Sequence, residues 1–316
     1  MRNSRLSRLA LAAATFSLSL PLIAQQVARP KILGVAHIAL RVSDIEKSRA
    51  FYKDFLGYGE PFLLNKADGS LDLTFIKIND YQYVELFPGL DPAQDRLHHI
   101  SIYTEDAEGM RLYLASRGVA VPERVPKGRS GNSNFNVKDP DGHTVEIVEY
   151  EPDGWSMRDK GKAMSDARIS GRMLHVGILV GNLAKSMEFY HGILGFEEFW
   201  RGSSRNSETL SWVNMRVPDG PTYVEFMLYE QEPAADNRGV QHHICLEVED
   251  AAKAVERLEQ RPYRKTYEQK IEIRTGINRR RQVNLYDPDG TRIELMESNT
   301  VDGKPPEASK LPPPRG

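Results

Sequence analysis

VAHIALRVSDIEKSRAFYKDFLGY, Val35 to Tyr58, returns as LHVGILVGNLAKSMEFYHGILGF, Leu174 to Phe196, with His37 and His175 leading the two copies at an offset of 138 residues. Each copy reads as a short strand carrying one histidine, a polar turn and an amphipathic helix, followed by Phe-Tyr-x-x-x-Leu-Gly-aromatic. Working outward, LHHISIYTEDAEGMRLYLASRG from Leu97 and QHHICLEVEDAAKAVERLEQR from Gln241 repeat the strand, acidic turn and helix. The chain is therefore a duplication of a duplication, with four openings led by His37, His99, His175 and His243.

Strand periodicity sorts these histidines. Successive side chains point to opposite faces, so His37 shares a face with Ala39, His99 with Ser101, His175 with Gly177 and His243 with Cys245. A small neighbour beside each imidazole leaves room for an ion or ligand. The same parity places His98 and His242 on the apolar face, under the helices. Four glutamates complete the pattern inside apolar strands: Glu85, Glu146, Glu225 and Glu294, which follow their histidines by 48, 47, 50 and 51 residues. A lone buried carboxylate is costly, and neutral imidazoles converging with carboxylates suit a divalent first-row metal.

Organisation follows from the same repeats. Residues 31–150 form a first domain and 171–297 a second, joined by a polar linker at 151–170 with room for a short helix. Ser43 with Glu46 reads as a capping box and Gly57 as the helix end. A hairpin turns at Asn79-Asp80, and a second helix runs from about Asp106 to Arg117. The turn Asp139-Pro140-Asp141-Gly142 recurs at Asp287 to Gly290, each followed four residues later by a glutamate. The proline-rich tail, 298–316, is expected to carry no structure.

The ends and the composition narrow the function. Arg2, Arg5 and Arg8 precede an apolar run from Leu9 to Leu22, which reads as a signal peptide over residues 1–24 and a secreted or periplasmic protein. That run is short for a membrane span, so no stable membrane insertion is expected. A net charge of -2 and a pI near 6.5 provide no overall basic field for nucleic acid, which leaves a small-molecule substrate as the expected partner and oligomerisation open. Cys245 is the only cysteine, so no intrachain disulfide forms.

At these residues the chain resembles the vicinal oxygen chelate superfamily, the group of glyoxalase I, extradiol dioxygenases and bleomycin-resistance proteins. The Phe-Tyr-x-x-x-Leu-Gly segment and Asp-Pro-Asp-Gly followed by glutamate carry the resemblance. It implies an α+β fold of tandem βαβββ modules, with two curled open-barrel mixed sheets and helices outside. Carried over position by position, it implies His37, Glu85, His99 and Glu146 as one ligand set and His175, Glu225, His243 and Glu294 as a second. The expected ion is divalent, with zinc, nickel, cobalt, manganese and iron(II) all open. The expected activity is that of a glyoxalase-like lyase or isomerase, with Glu146 or Glu294 moving the proton. Two alternatives stand: ring cleavage of a catechol by iron(II) on His175, His243 and Glu294, and a binding protein without turnover. The extradiol pattern places a histidine before Leu-Tyr-Asp-Pro-Asp-Gly, where this chain offers Ile277, Asn278 and Arg279. Pocket-lining candidates are Tyr83, Phe87, Tyr223 and Met227, with Lys127, Arg129 and Arg279 to Arg281 on the loops before the last strands.

Overall fold

The computed structural model describes residues 27–315. The proposed signal segment, 1–24, lies outside the described residues. The first half runs β1 (Ile32–Val42), α1 (Ile45–Ala50), β2 (Gly59–Asn65), β3 (Leu71–Asn79), β4 (Gln82–Pro88), β5 (Leu97–Thr104), α2 (Ala107–Ser116), β6 (Ser133–Lys138) and β7 (Thr144–Glu149). After a single-turn α3 (Trp155–Arg158), the second half repeats the plan. It comprises β8 (Met173–Val180), α4 (Leu183–Met187), β9 (Glu197–Gly202), β10 (Trp212–Arg216), β11 (Tyr223–Leu228), β12 (His243–Val248), α5 (Ala251–Glu259), β13 (Ile273–Thr275), β14 (Arg280–Tyr286) and β15 (Arg292–Thr300).

The result is α+β with two curled mixed sheets and a few peripheral helices, as the resemblance implies. The first sheet is ordered β2-β3-β4-β1-β5-β7-β6 and the second β13-β14-β15-β12-β8-β11-β10-β9. In each, two antiparallel histidine strands lie at the centre and each takes a glutamate strand in parallel on its outer side: β4 beside β1, β7 beside β5, β11 beside β8 and β15 beside β12.

Local chemistry explains the helix ends, with one correction. Asp44, not Ser43, caps α1, its carboxylate accepting from Lys47 N. Ser43 instead donates backbone N–H and hydroxyl to Asp289 of the other half. The Phe-Tyr segments at Phe51–Phe55 and Glu188–Ile193 wind as wider π-helical turns, and Gly57 and Gly195 end them at φ of 83° and 78°, a left-handed backbone that suits glycine.

The two motifs that carry the resemblance meet across the halves. Tyr52 OH donates to Asp287 Oδ2 at 3.3 Å, and Tyr190 OH donates to Asp139 Oδ2 at 3.0 Å. The third residue of each Asp-Pro-Asp-Gly turn binds the helix start opposite: Asp289 takes Ser43, and Asp141 takes Gly181 N and Ser186 Oγ, both at 2.8 Å. Phe51 and Phe55 pack on Tyr263 and Tyr267, with ring centroids 4.8 to 6.3 Å apart. One apolar core accordingly spans both halves.

The segment read as a linker is pinned down. The fully buried Lys77 ammonium bonds Asp159 Oδ2, Asp159 O and Lys162 O. The tail also departs from expectation. β15 continues to Thr300, and beyond it Glu307 O accepts from Trp200 Nε1, Ser309 N donates to Arg201 O and Pro312 O accepts from Leu210 N, so the prolines are held along β9. Among the described residues no helix is long and apolar enough to cross a membrane.

Candidate metal centres

Sheet register assembles each set. Ala39 of β1 lies beside Glu85 of β4 and His99 of β5, while Ser101 of β5 lies between His37 and Glu146. The second sheet repeats this lattice, with Gly177 between Glu225 and His243, and Cys245 between His175 and Glu294. Space beside the imidazoles is required there: a Cβ on Gly177 would lie 2.0 Å from the His243 ring.

In the first half the Nε2 atoms of His37 and His99 face each other at 2.9 Å. Glu146 Oε2 lies 3.1 Å from His99 Nε2 and 3.7 Å from His37 Nε2, and Glu85 approaches the two at 3.8 and 3.6 Å. His37, His99 and Glu146 converge tightly enough to share one ion, with Glu85 the more loosely placed fourth donor. In the second half His175 and His243 face each other through Nε2, again at 2.9 Å. Glu225 stands 3.7 and 3.4 Å from them, and Glu294 stands 3.5 and 3.8 Å away. All eight residues are buried.

Two imidazoles aimed nitrogen to nitrogen, flanked by two buried carboxylates, fit a divalent cation, which offsets the cost of burying the charges. In the second half the Cys245 thiol joins His175 and Glu294 as a further candidate donor.

The electrostatics of the two sets differ. Burial opposes charge on His37, but Glu85 and then Glu146 outweigh it and hold the imidazole above its ordinary value. Burial pushes the Glu85 carboxyl up. It pushes Glu146 the same way, yet the field of His37 and hydrogen bonds to both histidines win and hold Glu146 well below the usual carboxylate range. In the second half burial drives both His175 and His243 well below their ordinary value, Arg292 adding to the effect at His243. Burial there lifts Glu294 to about 7 against the opposing pull of Arg292.

A hollow of about 260 Å³ opens over the first set, lined by the rings of Phe62, Phe75, Tyr83 and Trp155 and by the amides of Asn134 and Asn136. Asn134 Nδ2 donates to Glu146 Oε1 at 3.0 Å. Over the second set only about 70 Å³ remains, bounded by Trp200, Trp212, Asn278 and Arg292. Tyr83, Phe87 and Arg129 line the first hollow as the sequence suggested. Period-two parity before the Asp-Pro-Asp-Gly turn marks Asn134 and Asn136 as facing the site with Glu146. No sequence signal marks Trp155, which comes from the linker.

His98 and His242 need correction. The β1–β5 register slips between Ala39 and Leu40, leaving His98 as an extra residue opposite them. Such a bulge breaks period two. His98 therefore turns back beside the site, its Nδ1 2.8 Å from His99 Nδ1 and its ring stacked on Phe87 at 4.3 Å. His242, just ahead of β12, lies 3.2 Å from Asp95, and both histidines line a polar hollow between the halves, not an apolar layer.

Comparison with known proteins agrees with this geometry. The family model for the Glyoxalase/Bleomycin resistance protein/Dioxygenase superfamily matches residues 34–147 and again 172–295. Glyoxalase I of Saccharomyces cerevisiae is 23% identical over 91% of this chain and 99% of its own length. A lactoylglutathione lyase of Neisseria meningitidis is 30% identical over 42% of this chain and 94% of its own. Among solved structures, the 2,3-dioxygenase LapB from Pseudomonas sp. KL28 superposes with a TM-score of 0.65 at 18% identity, covering 88% of this chain and 97% of that one, a likeness of fold. With both halves matched by the family model and both carrying the paired histidines and glutamates on the same sheet lattice, the chain belongs to the glyoxalase/bleomycin resistance protein/dioxygenase superfamily.

Proposed function

We propose that the protein is a divalent-metal-dependent lyase or isomerase of the glyoxalase type, acting on a small molecule with two adjacent oxygens. The observation that carries this reading is the buried two-histidine, two-glutamate set beneath a hollow wide enough for a small organic molecule. His37, His99 and Glu146 would hold the ion, which supplies Lewis-acid polarisation of the chelated oxygens and so acidifies the C–H between them.

The remaining steps belong to the protein. Glu146, nearest to His99 and bonded by Asn134, serves better as a fixed ligand than as a base. Glu85, farther from both imidazoles and with its carboxyl pushed up by burial, is the better-placed group to take the proton from one carbon and return it to the next. In the first half the base is thus Glu85, in place of Glu146. The aromatic rings of Phe62, Phe75 and Trp155 favour a flat, apolar body. The apolar amino-terminal run supports a secreted or periplasmic enzyme; a mature protein beginning at Gln25, read by intact mass, is the expected result, and retention of Met1 argues against it.

A test uses 2-hydroxyacetophenone, which joins a flat ring to adjacent oxygens. Zinc-, nickel- or cobalt-loaded protein in D₂O is expected to exchange its CH₂ protons, and Glu85→Gln to abolish exchange while keeping the metal. No exchange above free metal with any of the three ions refutes the reading. Ring cleavage is the second reading, because His37, His99 and Glu146 also make a two-histidine, one-carboxylate set. The wider hollow favours the first half for it over the expected His175, His243 and Glu294. Oxygen uptake with a yellow product, when iron-loaded protein receives a catechol and then air, distinguishes it.

A further inference from the structure

The two ligand sets match in donors and register, yet their surroundings do not. Glu146 and Glu294 stand at an offset of 148, and the same offset pairs Thr144 with Arg292 and Asn132 with Arg280. The register agrees at Thr144 and Arg292, which face Lys138 and Tyr286 two residues ahead of the matched glutamates. The second half therefore carries two guanidinium groups where the first carries neutral side chains. Arg292 lines the second hollow with Glu225 and Glu294, and the Nε atoms of Arg292 and Arg280 are buried without a hydrogen-bond partner. In the first half the one arginine lining the hollow, Arg129, is already paired with Asp72. A buried acid pair without a fixed cation calls for an ion, whereas a pair already faced by arginines calls for it much less.

Ring tautomers add an independent argument. Arg292 Nη2 lies 2.9 Å from His243 Nδ1, on which Gln241 O also converges at 2.7 Å. Arginine only donates. Gln241 O accepts from a protonated Nδ1 and so leaves Nε2 free for a metal, whereas Arg292 bonds only an unprotonated Nδ1 and sends the ring proton to Nε2, so the two compete at His243. His99 has no such competitor: its Nδ1 faces Nδ1 of His98, whose imidazole can accept and leave His99 Nε2 unprotonated. The space agrees, at about 260 Å³ against 70 Å³.

We propose that the two sets have different roles. The first is the tight metal site and the substrate pocket; in the second, the guanidinium of Arg292, with Arg280 behind it, offsets the charge of the acid pair, and Arg292 narrows the hollow, leaving a weak ion site closed to substrate. This rests on the metal-dependent reading above and assigns it to one half of the chain.

Metal content separates the cases without any activity measurement. Full-length apoprotein, saturated with zinc and dialysed exhaustively, is expected to retain one equivalent. Glu146→Gln is expected to lose it, Glu294→Gln to keep it, and Arg292→Thr to raise retention toward two. Two equal equivalents in the unaltered protein, or loss of the single one in Glu294→Gln, overturn the proposal and leave metal dependence standing. No retained zinc, nor any other divalent ion tried, overturns the metal reading itself.

A second measurement leaves the ligands untouched. Trp155 borders the first hollow and Trp200 and Trp212 the second, and these are all three tryptophans of the chain. Copper(II) quenches nearby indoles at short range, so its first equivalent is expected to dim the unaltered protein strongly and Trp155→Phe weakly. Equal dimming of both overturns the assignment to the first half.

Discussion

Replacing Tyr190 with Phe removes a hydroxyl that donates to Asp139 Oδ2 at 3.0 Å in the contact between the halves. Asp139 keeps three other donors: His143 Nδ1 at 2.8 Å, His143 N at 2.8 Å and Asp141 N at 3.1 Å. The carboxylate is thus not orphaned, and the loss belongs at the lower end of the range for a hydrogen bond to a charged group, about 1.5–2 kcal/mol. Tyr52 is the matched position, with a longer bond of 3.3 Å to Asp287. Burial lifts the Asp287 carboxyl to about 7, so near neutral pH the bond is partly to an uncharged acid. Tyr52→Phe should then cost only about 0.5–1 kcal/mol, typical of a neutral bond. Urea unfolding at pH 7 reads both: with a slope of about 3 kcal/mol/M, Tyr190→Phe lowers the midpoint by about 0.6 M and Tyr52→Phe by half of that or less. A loss at Tyr52 equal to or larger than that at Tyr190, with slopes unchanged, refutes the reasoning.

Asn134→Ala removes the amide that orients Glu146, and losing a hydrogen bond to a metal ligand weakens metal binding by about tenfold or more; a zinc affinity within twofold of the unaltered protein, by chelator competition, would contradict it. His143 has its imidazole lifted above the ordinary value, burial opposing but the bond to Asp139 prevailing. A raised folded-state value stabilises below the unfolded value of about 6.5 and is lost as pH rises through the folded one, so the stability advantage over His143→Gln should shrink between pH 6 and pH 8.5. An advantage that grows over that range would reverse the sign. Removing residues 305–316 uncovers Trp200, whose indole donates to Glu307 O. Its emission should shift to longer wavelength, and an unchanged spectrum would show that the tail does not cover it.

The fourfold repeat, the histidine strands, the matched glutamates and the two motif turns were legible in the chain because each is local. A strand has a period of two, a turn needs its own residues, and four copies make the pattern stand out. These features sufficed for the α+β architecture and for naming the eight residues that the two sheets bring together. Several things depended on how distant segments meet. The bulge that swings His98 back beside His99 arises from register between β1 and β5, which the sequence of either strand alone does not contain. Asp44 displaces Ser43 as the cap because Ser43 has a partner 246 residues away. The tail orders because β9 offers it donors and acceptors that its own composition lacks. The difference between the two metal centres is the largest case. The donor residues are the same types at similar spacing, and only folding shows that Trp155 comes from the linker to wall one hollow while Arg292 reaches the histidine of the other. Ligand identity is written residue by residue, but the space and charge around a ligand are sums over every segment packed against it.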